Sequence, residues 1–243
     1  MLQLDQLNIR QDAFVLSADW TLARGRFAAV IGPSGGGKST LLSVIAGFWA
    51  AQSGRILWEG ADLTPRAPED RPISILFQDN NLFPHLSVLQ NLTLALRPAL
   101  RPTADERAQI ENALAQVGLS GLSARRPGQL SGGQQSRAAL ARLLLEGRPL
   151  VLMDEPFSAL GPAQRVEMLE LTAQTLRGAR QTLLMVTHDP KDAVQIADDL
   201  VLVADGRAHA PRAVAEAISD PHPALRDYLG DYQSSSFAAR LGL

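Results

Sequence analysis

A glycine-rich stretch, GPSGGGKS at Gly32–Ser39, has the residue types and spacing of a loop that binds phosphate groups. An apolar segment at Arg26–Gly32 precedes it, and a segment with helical spacing follows. Glycines let the backbone wrap closely, so that successive N–H groups and the start of the helix face an anion. The stretch therefore predicts nucleotide binding by Gly32, Pro33, Ser34, Gly35, Gly36, Gly37, Lys38, Ser39 and Thr40.

Two acids at the end of a second apolar segment supply side chains suited to hydrolysis. Asp154 and Glu155 close the stretch PLVLMDE, which is typical of a buried strand. Ligands of open α/β sheets lie at the carboxyl ends of strands, so we expect Asp154 to bind Mg²⁺ together with the Ser39 hydroxyl. Glu155 is the expected general base for an attacking water. Lys38 is expected to reach the β- and γ-phosphates.

Two further polar residues follow apolar segments of the same kind. Gln78 comes after ISILF, and its amide carbonyl suits Mg²⁺ or the attacking water. His188 comes after MVT and can donate a hydrogen bond to a γ-phosphate. Because a phosphate loop lies upstream, we expect catalytic roles for Gln78 and His188, with Gln78 also a metal ligand beside Ser39 and Asp154.

A second glycine-containing turn, LSGGQ, begins another helical segment. Ser131 fits an N-cap, which leaves backbone N–H groups and the positive end of the helix dipole at the turn. Since Gly32–Ser39 already accounts for one nucleotide, this second anion site either binds another phosphate or closes over the nucleotide of another copy of the chain. The expected contacts come from Ser131, Gly132, Gly133 and Gln134.

The order of the segments predicts an α/β fold. Apolar strand-like segments alternate with helical ones, which favours a mostly parallel sheet with helices packed on it. At the N-terminus, residues 2–9 and 13–22 alternate loosely between apolar and polar, as half-exposed strands do.

Helical spacing dominates the middle of the chain, which indicates an inserted helical subdomain. The tail is mildly helical and becomes Ser-rich at Ser234–Ser236. The predicted divisions of this single domain are a nucleotide-binding core at 1–83 and 147–210, a helical subdomain at 84–146 and a C-terminal tail at 211–243.

Composition excludes several classes of protein. The 243 residues contain no cysteine, so there is no disulfide framework and no thiolate metal site. The net charge of −2 gives no basic field for nucleic acid. No apolar run approaches the ~20 residues that cross a bilayer, and the N-terminus has no apolar signal segment. We expect a soluble chain, which leaves a membrane partner possible.

The segments GPSGGGKST, LFQ, LSGGQ, LVLMDEP, SAL and VTHD, in this order and spacing, resemble the ATP-binding subunit of ABC transporters along nearly the whole chain. The resemblance implies a P-loop NTPase core with an N-terminal antiparallel β subdomain and an inserted α-helical subdomain. It implies ATP hydrolysis with Mg²⁺. It also implies a head-to-tail homodimer, in which each ATP lies between one subunit's phosphate loop and the other's Ser131–Gln134.

The resemblance extends to partners. The segment Gln78–Asn91 is similar to the surface that receives a transmembrane permease, with Phe83, Pro84 and Leu86 as its apolar residues. A periplasmic solute-binding protein would act indirectly through that permease, with no nucleic acid involved. The expected location is the cytoplasmic face of the bacterial inner membrane, as a peripheral subunit.

Long segments, among them DEPFSALGPAQRVEMLELT, look most like the ATP-binding subunits of bacterial thiamine importers. Similar segments occur in importers of ferric iron, sulfate, molybdate and polyamines, so these cargoes remain alternatives. A soluble ABC ATPase acting on DNA or ribosomes is a further alternative, which the single cassette and the lack of a heptad run disfavour. A binding module without catalysis conflicts with the intact set of Lys38, Asp154, Glu155 and His188.

Two positions depart from the family pattern. After SAL the family usually has Asp, and this chain has Gly161. That substitution puts communication across the dimer interface in question, but not ATP binding. Where the family usually has an aromatic residue that stacks on adenine, this chain has Gln11, and Phe14 is the nearest ring.

Overall fold

The computed structural model of this chain describes residues 1–229 of its 243. Its strands are β1 (Leu2–Gln11), β2 (Phe14–Leu22), β3 (Phe27–Ile31), β4 (Ser53–Trp58), β5 (Ala61–Asp62), β6 (Ile73–Leu76), β7 (Leu150–Asp154), β8 (Thr182–Val186), β9 (Asp199–Ala204), β10 (Arg207–Ala208) and β11 (Arg212–Ala213). Its helices are α1 (Lys38–Ala46), α2 (Val88–Leu96), α3 (Ala104–Gln116), α4 (Gly132–Glu146), α5 (Pro162–Gly178), α6 (Pro190–Ile196), α7 (Val214–Ser219) and α8 (Pro223–Leu229). The predicted Ser-rich stretch Ser234–Ser236 lies outside the described residues.

The chain divides into two compact units. The first comprises Met1–Arg71 and Thr182–Leu243, as far as the latter is described, and the second comprises Pro72–Gln181. Strands of the first unit follow the order β5-β4-β1-β2-β10-β9-β3-β8, and β11 pairs with β9. The second unit holds the parallel pair β6–β7 and helices α2 to α5. Strands and helices thus combine in the predicted α/β class.

The N-terminal strands of the first unit form the predicted antiparallel, half-buried sheet. β1 pairs antiparallel with both β2 and β4. Along β1, buried side chains such as Leu2 and Leu4 alternate with more exposed ones, as the period of a strand requires. The register shifts between Leu4 and Leu7, where Gln6 takes a left-handed φ of 47°. The shift keeps Leu7 and Ile9 on the buried face.

Three parallel strands form the buried centre of the first unit. β3 pairs with β8 on one side and with β9 on the other, with Val30 opposite Val186 and Val201. All residues of these strands are buried, which explains why their sequences are continuous apolar runs rather than alternating ones. Because β3 and β8 are parallel and in this register, the residues after Ile31 and after Val186 lie at the same edge of the sheet.

Three helices of the second unit, α2, α3 and α4, begin at capping boxes. In each, a Ser or Thr side chain accepts from the backbone N–H three residues on, and that residue's side chain accepts from the cap's own N–H. The pairs are Ser87 with Gln90, Thr103 with Glu106, and Ser131 with Gln134. α4 packs against α2, α3 and α5. Among the helices of residues 1–229, none has the length and hydropathy to cross a membrane.

A buried arginine closes the carboxyl end of α1. Arg71 is 4% exposed, and its Nη1 donates to the carbonyl oxygens of Val44 at 3.0 Å and Ile45 at 2.7 Å. Its Nε donates to Arg66 O at 3.0 Å. Burial lowers the pKa of Arg71, an effect that Asp62 opposes. The guanidinium therefore bonds carbonyls in the last turn of α1, where Val44 O also accepts from Gly47 N, and opposes the negative end of the helix dipole.

Replacing Arg71 with Met should lower the free energy of unfolding by about 3 kcal/mol, because buried carbonyls of α1 lose charge-assisted hydrogen bonds. Equilibrium urea denaturation measures the loss. The matched control is Arg66→Met, since the side chain of Arg66 is exposed and only its backbone carbonyl contacts Arg71. Equal stability of the Arg71 variant and the wild type would contradict this role.

Two histidines contact each other near the end of the described chain. The rings of His209 and His222 have centroids 4.7 Å apart, beside a small cavity that Arg212 also lines. Nε2 of His209 is buried without a hydrogen-bond partner. Burial first, and then His222 and Arg207, lower the pKa of His209, while Asp205 opposes them. The native fold therefore favours the neutral form of His209.

Stability should fall as the pH drops through about 6.5, the pKa of an unfolded histidine. Below that pH the unfolded chain binds a proton that native His209 takes up only at lower pH. The contribution of neutral His209 to the free energy of unfolding is therefore complete above the unfolded pKa and is lost as the pH falls below it. Thermal midpoints at pH 8 and pH 5.5 measure the effect. In His209→Asn, the thermal midpoint should fall less between pH 8 and pH 5.5 than in the wild type. An equal fall in the variant and the wild type would contradict this role of His209.

Candidate functional site

The phosphate loop (Gly32–Ser39) leaves β3 where the backbone of β9 lies very close. Gly32 has a φ of 146°, and a Cβ at this position would overlap the carbonyl oxygen of Val203 in β9. Both its conformation and its surroundings therefore require glycine. This contact fixes the direction in which the loop departs from the sheet.

The loop ends at Gly37, the N-cap of α1. Gly37 has a φ of 100°, and a Cβ there would overlap the ring of Phe14. Phe14 thus packs against the junction of the loop and the helix. Gln11, the other residue considered for adenine stacking, is exposed and pairs with Phe14 across the hairpin. Of these two, Phe14 is the one that the structure places against the loop.

The lysine of the loop points back into it. Lys38 is 8% exposed, and its Nζ donates to the carbonyl oxygens of Gly32 at 2.8 Å and Pro33 at 2.9 Å. Ser34, Gly35 and Ser39 are exposed. A buried ammonium ringed by backbone, with exposed N–H groups at the start of a helix, is suited to binding phosphate oxygens.

His188 lies at the same edge of the first unit's sheet as the phosphate loop. It follows β8, and its neighbour Thr187 donates from N to Val30 O at 3.2 Å. The Thr187 hydroxyl donates to Asp192 Oδ2 at 2.6 Å, and Asp189 caps α6 by accepting from Lys191 N. His188 itself is exposed. Its backbone is therefore held while its imidazole faces outward.

In the second unit, Gln78 and the two acids occupy the carboxyl ends of neighbouring strands. β6 and β7 are parallel, with Leu76 opposite Met153, so Asp154 and Gln78 follow at one edge. Asp154 and Glu155 are partly buried, and Gln78 is exposed. Glu155 has a left-handed φ of 47°, an uncommon conformation for a residue with a side chain, which is concentrated at functional sites.

The loop after Gln78 is held by residues that the sequence did not single out. Asn81 Oδ1 accepts from Phe77 N at 2.9 Å, and Asn81 Nδ2 donates to Ile75 O at 3.0 Å. Arg142 of α4 donates from Nη1 to Asn81 O at 2.6 Å. The signal in the sequence is the residue type, because Asn favours turns and tolerates the left-handed φ of 55° that Asn81 adopts.

The glycine turn (Ser131–Gln134) begins α4 as predicted, with Ser131 as N-cap. Neither Gly132 nor Gly133 has a left-handed φ. An added Cβ would lie 3.6 Å from Leu160 at Gly132 and 3.9 Å from Gln164 at Gly133, which are ordinary contacts. The fold of this unit therefore does not require glycine at either position. Ser131 and Gly132, at the start of α4, are exposed.

Gly161, where the resembling family usually has Asp, is the N-cap of α5. Its backbone is extended, with φ of −64° and ψ of 158°, and without a side chain it cannot cap the helix as Asp would. An added Cβ would meet nothing within 4 Å. Asp would therefore fit this position, so local packing in this chain does not explain its absence.

A buried amide shapes the segment Gln78–Asn91. Asn91 is 0% exposed, and its Oδ1 accepts from Phe83 N at 2.7 Å. Its Nδ2 donates to the carbonyl oxygens of Phe83, Leu86 and Ser87. Phe83 and Pro84 are exposed, but Leu86 is 8% exposed. The expectation that Leu86 belongs to an exposed apolar surface is therefore wrong, and Asn91 supports that surface from below rather than forming part of it.

The candidate metal ligands suit magnesium only with help from a substrate. In the part of the chain that the structure describes, no cluster of three or more His, Cys, Asp or Glu could hold a metal ion. The predicted donors are a hydroxyl, an amide and a carboxylate, from Ser39, Gln78 and Asp154. Such oxygen donors fit Mg²⁺, which commonly binds through one or two carboxylates plus substrate phosphates.

Each unit therefore assembles part of the predicted set. The first brings together the phosphate loop and His188 at one sheet edge. The second brings together Gln78, Asp154 and Glu155 at one strand pair, and presents the glycine turn at the start of α4. The first unit thus carries groups suited to binding phosphate, and the second carries carboxylates suited to accepting a proton from water.

Comparisons with known proteins show which family the chain resembles. The family model described as ABC transporter matches residues 15–158. The thiamine import ATP-binding protein ThiQ of Cereibacter sphaeroides is 59% identical over 230 residues, which cover 95% of this chain and 100% of that protein. The protein of the same name from Ruegeria sp. is 51% identical over 95% of this chain and 100% of its own length.

Two solved structures have similar folds. One is the dimeric structure of MJ0796, described as a bacterial ABC transporter cassette, with a TM-score of 0.75 and 25% identity. The other is MJ0796 in a dimeric post-hydrolysis state bound to ADP and Pi, with a TM-score of 0.74 and 25% identity. Each comparison covers 88% of this chain and 99% of the solved chain.

Replacing Asn91 with Asp should destabilise the loop at Phe83, because a carboxylate would face the three carbonyls that the amide now bonds. Amide hydrogen exchange measures the effect, and we expect protection of Phe83 N–H to fall at least ~10-fold, the equivalent of about one lost hydrogen bond. Gln90→Glu, at the partly buried neighbouring position, serves as the control for added charge. Unchanged protection in the Asn91 variant would contradict this account.

Proposed function

The chain belongs to the ABC transporter family, and on that premise we propose that it is the ATP-binding and hydrolysing subunit of a bacterial importer that energises thiamine uptake through a separate membrane permease. The observation that carries the proposal is the 59% identity to the thiamine import ATP-binding protein of Cereibacter sphaeroides over 95% of this chain. A protein of the same name from Photobacterium profundum is 42% identical over 95% of this chain.

ATP binds at the phosphate loop. Backbone N–H groups and the dipole of α1 attract the triphosphate, and Lys38 Nζ exchanges its bonds to Gly32 O and Pro33 O for phosphate oxygens. Phe14 supports the loop from the side at which Gly37 begins α1. We propose that Phe14 is the aromatic residue beside the nucleotide, and that Gln11 does not take this place.

Mg²⁺, when bound, neutralises developing charge on the phosphate oxygens. Ser39, Asp154 and Gln78 are the residues that would hold it. The supporting observation is chemical, since all three offer oxygen donors at the carboxyl ends of strands or at the start of α1.

Glu155 acts as the general base of hydrolysis. It accepts a proton from water as the water oxygen bonds to the γ-phosphorus, and the bond from that phosphorus to the bridging oxygen of ADP breaks. Gln78 orients the water through its amide. His188 donates a hydrogen bond to the γ-phosphate and stabilises its charge. The partly buried, left-handed position of Glu155 at the end of β7 supports this assignment.

Two copies complete the sites. The glycine turn of one subunit binds the γ-phosphate held by the phosphate loop of the other, a contact that ATP offers and ADP does not. Supporting this proposal, Gly132 and Gly133 are not required by their own unit's packing. Dimeric solved cassettes of similar fold agree with it.

The permease binds at the surface between Gln78 and Asn91, where Phe83 is 44% exposed. Closure of the dimer would then move the permease through this surface, and a periplasmic solute-binding protein would deliver the cargo from the other side. This places the subunit at the cytoplasmic face of the inner membrane, as a peripheral protein.

The experiment that tests the cargo uses the complex purified with its permease and measures ATPase activity. Thiamine-loaded binding protein should stimulate hydrolysis, and binding proteins loaded with ferric iron, sulfate, molybdate or polyamine should not. Stimulation by one of those cargoes alone would discard thiamine and keep the mechanism. Salt-sensitive nucleic-acid binding without a co-purifying membrane protein would favour the soluble alternative.

Replacing Glu155 with Gln should lower kcat at least ~100-fold, the usual contribution of a general base. ATP binding should persist, because the phosphate loop is unchanged, so an ATP-bound dimer should accumulate. Phosphate release and size-exclusion chromatography measure the two effects. Rapid turnover by this variant would overturn the assignment of Glu155.

A further inference from the structure

We propose that Tyr228 is a positioning residue for His188, so that helix α8 takes part in ATP hydrolysis. The inference rests on the proposed function, because His188 acts on the γ-phosphate only if the chain hydrolyses ATP as proposed. It adds a residue of the tail to a site otherwise built from loops at strand ends.

The central observation is a hydrogen bond between distant parts of the first unit. The Tyr228 hydroxyl donates to the backbone carbonyl oxygen of His188 at 2.7 Å. The carbonyl belongs to the peptide that joins His188 to Asp189, so its direction sets the ψ angle of His188. Holding that peptide therefore restricts the direction in which the exposed imidazole leaves the backbone.

Further hydrogen bonds hold this loop, and one of them is made by the same peptide. Thr187 N donates to Val30 O, which ties the loop to β3. Asp189 N donates to Thr187 Oγ1 at 3.1 Å, and the Asp189 carboxylate accepts from Lys191 N at 3.0 Å. Thr187 Oγ1 thus holds the N–H of the His188–Asp189 peptide, and the Tyr228 hydroxyl holds its carbonyl oxygen.

The packing of α8 determines where the hydroxyl lies. Leu225 and Leu229 are 2% and 3% exposed, in a core cluster with Leu200 and Leu202 of β9. Tyr228 packs against the same cluster while its hydroxyl reaches the His188 loop. A tyrosine with its ring in a core and its hydroxyl bonded is well ordered.

The start of α8 is capped by His222, the residue that precedes it. Backbone N–H groups of Leu225 and Arg226 donate to His222 O at 2.8 Å and 2.9 Å, and Ala224 N donates to His222 Nδ1 at 3.3 Å. A change that displaces α8 would remove the Tyr228 hydroxyl from the His188 carbonyl. A movement of the tail would thereby alter the position of His188 in the proposed catalytic site.

Tyr228→Phe removes the hydroxyl and keeps the ring. In the complex with its permease, we expect kcat to fall about fivefold, the rate equivalent of one neutral hydrogen bond, with KM for ATP unchanged. The matched control is Ser219→Ala, which removes a hydroxyl-to-carbonyl bond to Glu216 O in α7. Wild-type kcat in the Tyr228 variant, or an equal loss in the Ser219 variant, would overturn the proposal.

A second readout does not depend on hydrolysis. The chain has four histidines, so the imidazole signals in its NMR spectrum can be assigned. Tyr228→Phe should shift the His188 signal and leave the His85 signal in place, whereas an unchanged His188 signal would overturn the positioning role. If the wild-type complex hydrolyses no ATP, or if His188→Ala is as active as wild type, the proposed function fails instead, whatever the NMR result.

Discussion

Phosphate binding in this chain depends on one close approach between backbones. Gly32 lies against the Val203 carbonyl so tightly that no Cβ fits, and this contact directs the chain from β3 into the phosphate loop. α1 then starts with its N–H groups exposed, while buried Arg71 satisfies carbonyls at its other end. The helix that receives an anion at its N-terminus is thus fixed at both ends, which limits the reorganisation that binding requires.

Parallel strands explain how residues far apart in sequence come together. In the first unit, β3 and β8 end at one edge and deliver the phosphate loop and His188. In the second unit, β6 and β7 end at one edge and deliver Gln78 with Asp154 and Glu155. Partly buried polar groups such as Asn81 hold the loops at such edges. The proposed site residues are therefore positioned by side chains that are not themselves among them.

Local patterns predicted much of this. Continuous apolar runs predicted the buried strands β3, β7 and β8, and Ser131 followed by two glycines predicted the start of α4, because caps and burial depend on neighbouring residues. Helix α6 was not predicted, because Pro190–Ile196 is only 7 residues long, too short for a helical period to show in the sequence.

Contacts between distant residues could not be predicted in the same way. Nothing near Arg71 in sequence indicates that it binds carbonyls of α1, and nothing near Tyr228 indicates His188. Leu86 was expected at a surface because the sequence indicates a loop at this position, but it does not indicate that the side chain is buried. Asn91 gave a partial signal, as a polar residue on the apolar face of α2, but its partners at Phe83 depend on the fold.

In the proposed mechanism, the glycine turn acts on a nucleotide held by another copy of the chain. The most direct test is sedimentation of Gly133→Ala in a Glu155→Gln background, with and without ATP, together with its thermal midpoint. We expect a thermal midpoint at or above that of the parent, because the added methyl makes ordinary contacts in a helix. We also expect loss of the ATP-dependent dimer. A dimer that forms at the same ATP concentration as in the parent would contradict it.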